Sequence, residues 1–174
     1  MDAFDTFGNA PTFEVDLVAL EQRFRDLSRV VHPDKFAGGG AGERRRALSM
    51  AVDVNAAWRV LRDPVKRAEA LLARSGVAID ERNQPKASPA LLMDVMEQRE
   101  ELAEAKAKRD VARVGELATR VADRERGVLA GLAAGFPKIG ESPDGGIAVL
   151  SLVGELKYLR RFLDEVRVIE EELE

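Results

Sequence analysis

The sequence predicts an all-α fold. Ala, Leu, Arg and Glu dominate its long stretches, the β-branched runs that mark strands are missing, and only 5% of the residues are aromatic. Apolar residues also recur at spacings of three and four, the period of a helix face. At 174 residues the chain has room for one ordinary domain or two small ones. A composition of 45% hydrophobic and 33% charged residues with no long apolar run is that of a soluble globular protein, neither disordered nor membrane-spanning.

The first helix opens after Asp16, placed as an N-cap, and carries Leu17, Leu20, Phe24, Leu27 and Val31 on one face. Pro33 ends it, and the run Gly38-Gly39-Gly40-Ala41-Gly42 predicts a flexible loop. The pattern resumes with Ala47, Met50, Ala51, Val54, Trp58 and Leu61, so two amphipathic helices face each other as a hairpin with Trp58 in its core. Pro64 suits the first turn of a short helix through Leu72. Between Ser75 and Pro89 the helical pattern breaks, which predicts a unit over 1–75, a linker over 76–88 and a second unit over 89–174.

In the second unit, Ser88-Pro89 reads as a cap and first-turn proline for a helix to about Ala107. Another follows from Asp110 to Ala134, using Val111, Val114, Leu117, Val121, Val128 and Leu132. After a Gly/Pro-containing loop to Gly146, a last helix carries Leu152, Leu156, Leu159, Leu163, Val166 and Leu173, and the three together predict a helical bundle.

Chemistry is narrowed sharply by composition. With no cysteine and a single histidine there is no disulfide, thiolate zinc site, cysteine-ligated cluster, cysteine nucleophile or imidazole pair for a metal. Nothing fixes two carboxylates around a pocket, so no enzyme and no cofactor are expected. The net charge of −4 argues against a nucleic-acid or membrane partner, although Arg44-Arg45-Arg46 could touch phosphates; we read that triplet and the 137–146 loop as solvated surface. The N-terminus carries neither a secretion signal nor a transit peptide, so the cytoplasm is the expected compartment. Charge is split: residues 17–75 hold 12 basic against 7 acidic side chains, residues 76–174 hold 15 against 20, which suggests two different partners.

Two constellations stand out. His32-Pro33-Asp34, at the bend of the hairpin, reads on local chemistry alone as a turn. The preceding helix, however, presents Gln22, Arg25, Asp26 and Arg29 opposite its apolar stripe, and Lys35 follows. Arg25 and Arg29 are like charges at i, i+4, better understood as a recognition surface for an acidic partner than as helix support. The helix after Ser88 is apolar on two sides. At about 100° per residue, Leu91, Val95 and Leu102 fall within about 40° of each other, while Leu92, Met93 and Met96 fall about 100–200° from Leu91. Glu97, Glu100 and Glu104 border that second side, which is either an interdomain surface or a grip for an apolar, basic partner.

The basic helix, His32-Pro33-Asp34-Lys35-Phe36, Asn55-Ala56-Ala57-Trp58 and Leu61-Arg62-Asp63-Pro64 resemble a J-domain. Adding Arg67-Ala68-Glu69-Ala70-Leu71-Leu72, Leu92-Met93, Arg99-Glu100-Glu101-Leu102 and Arg161-Phe162-Leu163-Asp164, nearly the whole chain resembles the HscB family, J-type co-chaperones of iron–sulfur cluster assembly. The resemblance implies an N-terminal J-domain hairpin and a C-terminal three-helix bundle. It implies that Arg25, Arg29, His32, Pro33, Asp34 and Lys35 dock on an HscA-type, DnaK-like ATPase chaperone and stimulate its hydrolysis. It also implies that Leu92, Met93, Met96, Glu97, Glu100, Glu104 and Phe162 bind an IscU-type scaffold. Phe162 lies at the edge of its helix's stripe and could reach core or partner; Met96 stands where the family has leucine, a change that keeps the patch apolar. The cysteine-bearing N-terminal extension of some eukaryotic relatives is missing, which favours a bacterial form. A J-protein with a different client is the alternative expectation.

Overall fold

The computed structural model describes residues 2–36, 38–77, 88–141 and 144–173; the secondary structure among these is helical, with no strand. The chain divides into two compact units, Met1–Arg74 and Ser75–Glu174. Most of the expected linker, residues 78–87, lies outside the described residues.

The first unit opens with a helix the sequence pattern did not suggest, α1 (Ala3–Phe7). Five residues are too few to show a period, and capping accounts for the turn: the Asp2 carboxylate accepts from the Phe4 amide at 2.8 Å, and Gly8 closes the other end in the left-handed region at φ +66°. Phe4 and Phe7 are buried. Helix α2 (Leu17–Val30) starts on Asp16, whose Oδ1 accepts from Val18 and Ala19 at 2.9 and 3.0 Å. Helix α3 (Ala41–Arg62) begins earlier than expected: Ala41 and Gly42 form its first turn because Glu43 reaches back to accept from the Gly40 amide at 3.2 Å. Helix α4 (Pro64–Arg74) follows, with Asp63 accepting from the Val65 and Lys66 amides.

Leu20, Val31, Ala47, Val54, Ala57 and Leu61 are buried between these helices. Trp58, expected in the core, is half-buried; its ring stacks on Phe24 at 4.9 Å and on Phe7 at 6.5 Å, and the Arg62 guanidinium lies 5.8 Å from its centroid. Leu17, in the first turn of α2, and Met50, at the edge of the α3 stripe between buried Ala47 and Val54, are exposed although spacing places both on the stripes. The N-terminal turn is tied to the end of α4 by Arg74, which pairs with Asp2 at 3.1 Å and Asp5 at 3.4 Å. Partial burial pushes the Asp2 carboxyl up, but the Phe4 amide and Arg74 outweigh it and hold the group below its ordinary range.

The second unit consists of α5 (Pro89–Ala107), α6 (Val111–Gly135) and α7 (Gly145–Leu173), with a 3-10 turn over Phe136–Lys138. Ser88 and Asp110 cap α5 and α6 through the Leu91 and Arg113 amides. The tight α5–α6 turn holds Arg109 at φ +53°, a left-handed position closed by the Asp110 amide on the Ala105 carbonyl. Val114, Leu117, Val121, Val128 and Leu132 are buried as their spacing predicts, whereas Val111 in the first turn is exposed.

On α7 the buried stripe is Val149, Val153, Leu156, Leu159, Phe162, Val166 and Ile169. The stripe drawn from sequence through Leu152 and Leu163 was rotated toward one flank; both are half-buried. Phe162 therefore belongs to the centre of the stripe, 1% exposed, and its assignment as a scaffold contact is corrected: a side chain enclosed by the bundle has no surface to offer a partner.

Candidate functional sites on α2 and α5

The hairpin bend is a built turn. After α2 ends, Pro33–Phe36 form a single 3-10 turn in which the Lys35 amide donates to the His32 carbonyl at 3.1 Å. The Asp34 amide donates to His32 Nδ1 at 3.3 Å, which ties the two ends of the tripeptide together. The Asp34 carboxylate lies 3.5 Å from the same nitrogen, and the two side chains are 58% and 89% exposed. The turn thus holds a carboxylate out in solvent without a strong partner, and a carboxylate so held can capture a cation on another protein.

Arg25, Arg29 and Lys35 are exposed alongside. The arginines are not free of local company: Arg25 lies 3.4 Å from Glu21 and Arg29 3.8 Å from Asp26, which also accepts from Gln22 at 3.2 Å. These exposed i, i+3 and i, i+4 pairs are weak and exchange easily for a partner's acids. Ser28, which sequence reasoning passed over, lines a shallow pocket with Arg29, His32 and Lys35. The signal was its position four residues before His32, the spacing that aligns side chains along a helix.

The α5 site is a face. Leu91, Val95 and Leu102 point inward at 4, 6 and 1% exposure, while Leu92, Met93 and Met96 point outward at 40, 65 and 64%. Glu97, Glu100 and Glu104 are exposed beside them. Glu104 bonds Lys108 one turn on, which holds its carboxyl below the ordinary range. Flexible thioethers with an acidic rim form a surface that adapts to an apolar, basic partner. Of the seven scaffold contacts expected from sequence, six share this face and Phe162 does not.

Sequence reasoning also missed the polar groups under α5. Gln98, 6% exposed, donates to Asp94 at 3.1 Å. Asp94 in turn bonds Arg124 of α6, whose Nε donates to Glu155 of α7 at 2.7 Å, so one guanidinium joins three helices. Spacing could not reveal it, since the partners stand about 30 residues apart in sequence.

Among the described residues, no helix is long and apolar enough to cross a membrane. Residues 87–167 match a family model described as the HSCB C-terminal oligomerisation domain. The chain is 36% identical over 173 residues to the co-chaperone protein HscB homolog of Burkholderia multivorans, covering 98% of this chain and 95% of that one. It superposes on the chaperone HscB from Vibrio cholerae with a TM-score of 0.88 at 31% identity, over the full length of both. Human co-chaperone HscB shares the fold, with a TM-score of 0.84 at 24% identity over 97% of this chain and 81% of the human one. An all-α, two-unit chain with His32 and Asp34 exposed at one turn and full-length likeness to these proteins belongs to the HscB family, the co-chaperones of iron–sulfur cluster assembly.

Proposed function

We propose that this chain bridges an HscA-type, DnaK-like ATPase chaperone and an IscU-type iron–sulfur scaffold in the cytoplasm. The J-domain over 1–75 docks on the ATP form of the chaperone and stimulates hydrolysis; the bundle over 89–174 carries the scaffold. The observation that supports this most directly is the division of labour: one compact unit presents the exposed His32–Asp34 turn with Arg25, Arg29 and Lys35, and the other presents Leu92, Met93 and Met96 with their acidic rim.

The mechanism requires no chemistry from this chain. Asp34 competes for a cation on the chaperone, shifting the ATPase toward its hydrolysis-competent state, while the bundle raises the local concentration of scaffold at the chaperone's substrate site. The turn geometry sets where Asp34 stands, with the Asp34 amide fastened to His32.

Single-turnover ATP hydrolysis by the chaperone, with this chain and the scaffold added separately and together, tests the bridge. Stimulation greater than the sum of the two is expected, abolished by Asp34→Asn and reduced to the scaffold-free level by Leu92→Ala/Met93→Ala. Stimulation that needs Asp34 but ignores the scaffold would leave the J-domain role standing and assign the bundle a different client.

A further inference from the structure

The chain holds little sulfur, and half of it lies on one face of α5. There is no cysteine, and the methionines are Met1, Met50, Met93 and Met96. The buried apolar side chains among the described residues are Leu, Val, Ile, Phe and Ala, with no methionine. Met50, Met93 and Met96 are 53, 65 and 64% exposed. Met93 and Met96 stand one turn apart on the outer face of α5, whereas Met50 lies on α3 in the first unit. An oxidant that reacts with thioethers therefore reaches the α5 face without any opening of the fold, and meets no thioether in the described core.

The chemistry is oxygen transfer. The thioether sulfur attacks a peroxide, the O–O bond breaks, an S–O bond forms, and sulfur gives up an electron pair as hydrogen peroxide is reduced to water. Hydrogen peroxide is uncharged, so the acidic rim of Glu97, Glu100 and Glu104 does not repel it. That rim matters after the reaction. A sulfoxide oxygen and an ionised carboxylate both accept hydrogen bonds and donate none. Glu97 stands four residues after Met93 and Glu100 four after Met96, so neither offers the new oxygen a donor. Arg99, the donor three residues after Met96, lies 3.5 Å from Glu165 and is already engaged. An apolar partner surface laid over the sulfoxides strips their water and returns nothing. Leu91, Val95 and Leu102 keep α5 seated meanwhile, since their burial does not involve the outward thioethers.

We propose that Met93 and Met96 form a paired oxidation site, whose conversion to sulfoxide by a peroxide releases the partner of this face while the first unit keeps its function. The inference rests on the reading of that face as the scaffold site, and its test separates the two. The full chain is treated with hydrogen peroxide, the sites are read by mass spectrometry, and scaffold affinity is measured before and after. Affinity should fall about tenfold or more once both methionines carry oxygen. Scaffold-free stimulation of the chaperone and the thermal unfolding transition should stay as in the untreated chain. Met50→Leu should show the same loss, whereas Met93→Leu/Met96→Leu, compared with its own untreated form, should lose none. A thiol-driven methionine sulfoxide reductase should restore the affinity. Unchanged affinity with both sulfoxides formed would overturn the proposal: if Leu92→Ala/Met93→Ala still loses the scaffold, the reading of the face stands without it, and if that variant binds as the parent does, both fall. A loss that persists in Met93→Leu/Met96→Leu, or that the reductase leaves in place, would overturn it as well.

Discussion

The two units are specified in different currencies. The first is built on rings: Phe4, Phe7 and Phe13 are buried, Trp58 stacks on Phe7 and Phe24, and two arginines lie over aromatic faces, Arg62 on Trp58 and Arg67 on Phe13. The second is built on aliphatic side chains, with Phe162 the one aromatic in its buried stripes among the described residues, and with ion pairs running between all three helices. Rings have shape and fix a small core by fitting. Leu and Val carry less shape, and the pattern of buried aliphatic and exposed charged residues along each long helix sets which face turns inward, with ion pairs bordering the seams.

The comparison breaks most severely at Phe162. Its replacement by Ala should cost the second unit about 3–5 kcal/mol in denaturant unfolding, as expected for a large buried ring; a cost under about 1 kcal/mol would return it to the surface. A smaller effect is expected in the first unit. Asp2→Asn leaves a cap but loses the charge facing Arg74, and should cost about 1 kcal/mol or less. Because the Asp2 carboxyl sits lower when folded than when unfolded, its contribution is present above the unfolded value and fades as pH falls through the folded one. Acid titration of the parent and Asp2→Asn should therefore converge at low pH. The mildest probe is salt. At about 1 M the screening length falls to about 3 Å, which weakens the exposed ion-pair rows and leaves ring stacking alone. Trp58, the sole tryptophan, reports the first unit, so its fluorescence transition should hold while the helical signal of the second unit melts earlier.

What the sequence made legible follows the same division. Helices α2, α3, α5, α6 and α7 are long enough for their period to show, and proline and the capping acids mark several of their ends. Helix α1 escaped because its signal is a cap and a glycine, not a period. At the site, His32, Asp34 and their basic neighbours were readable because a turn is local, and the exposed face of α5 was readable because a helix repeats. The ion pairs that α5 makes with α7 were not, since Arg99–Glu165 and Lys106–Glu172 join residues 66 positions apart and no local pattern announces them. Phe162 was misplaced for a related reason: a stripe drawn through Leu152 and Leu163 sits one flank away from the stripe that Val153 and Phe162 complete.

The clasp of Arg74 on Asp2 and Asp5 has a mechanical meaning. Arg74 is the last residue of α4 and of the first unit, so the chain leaves that unit one step after being fastened to its own beginning. The two ends of the first unit are thereby joined to each other, so loss of the clasp frees the α1 turn and the last turn of α4 together, at the small cost of exposed ion pairs.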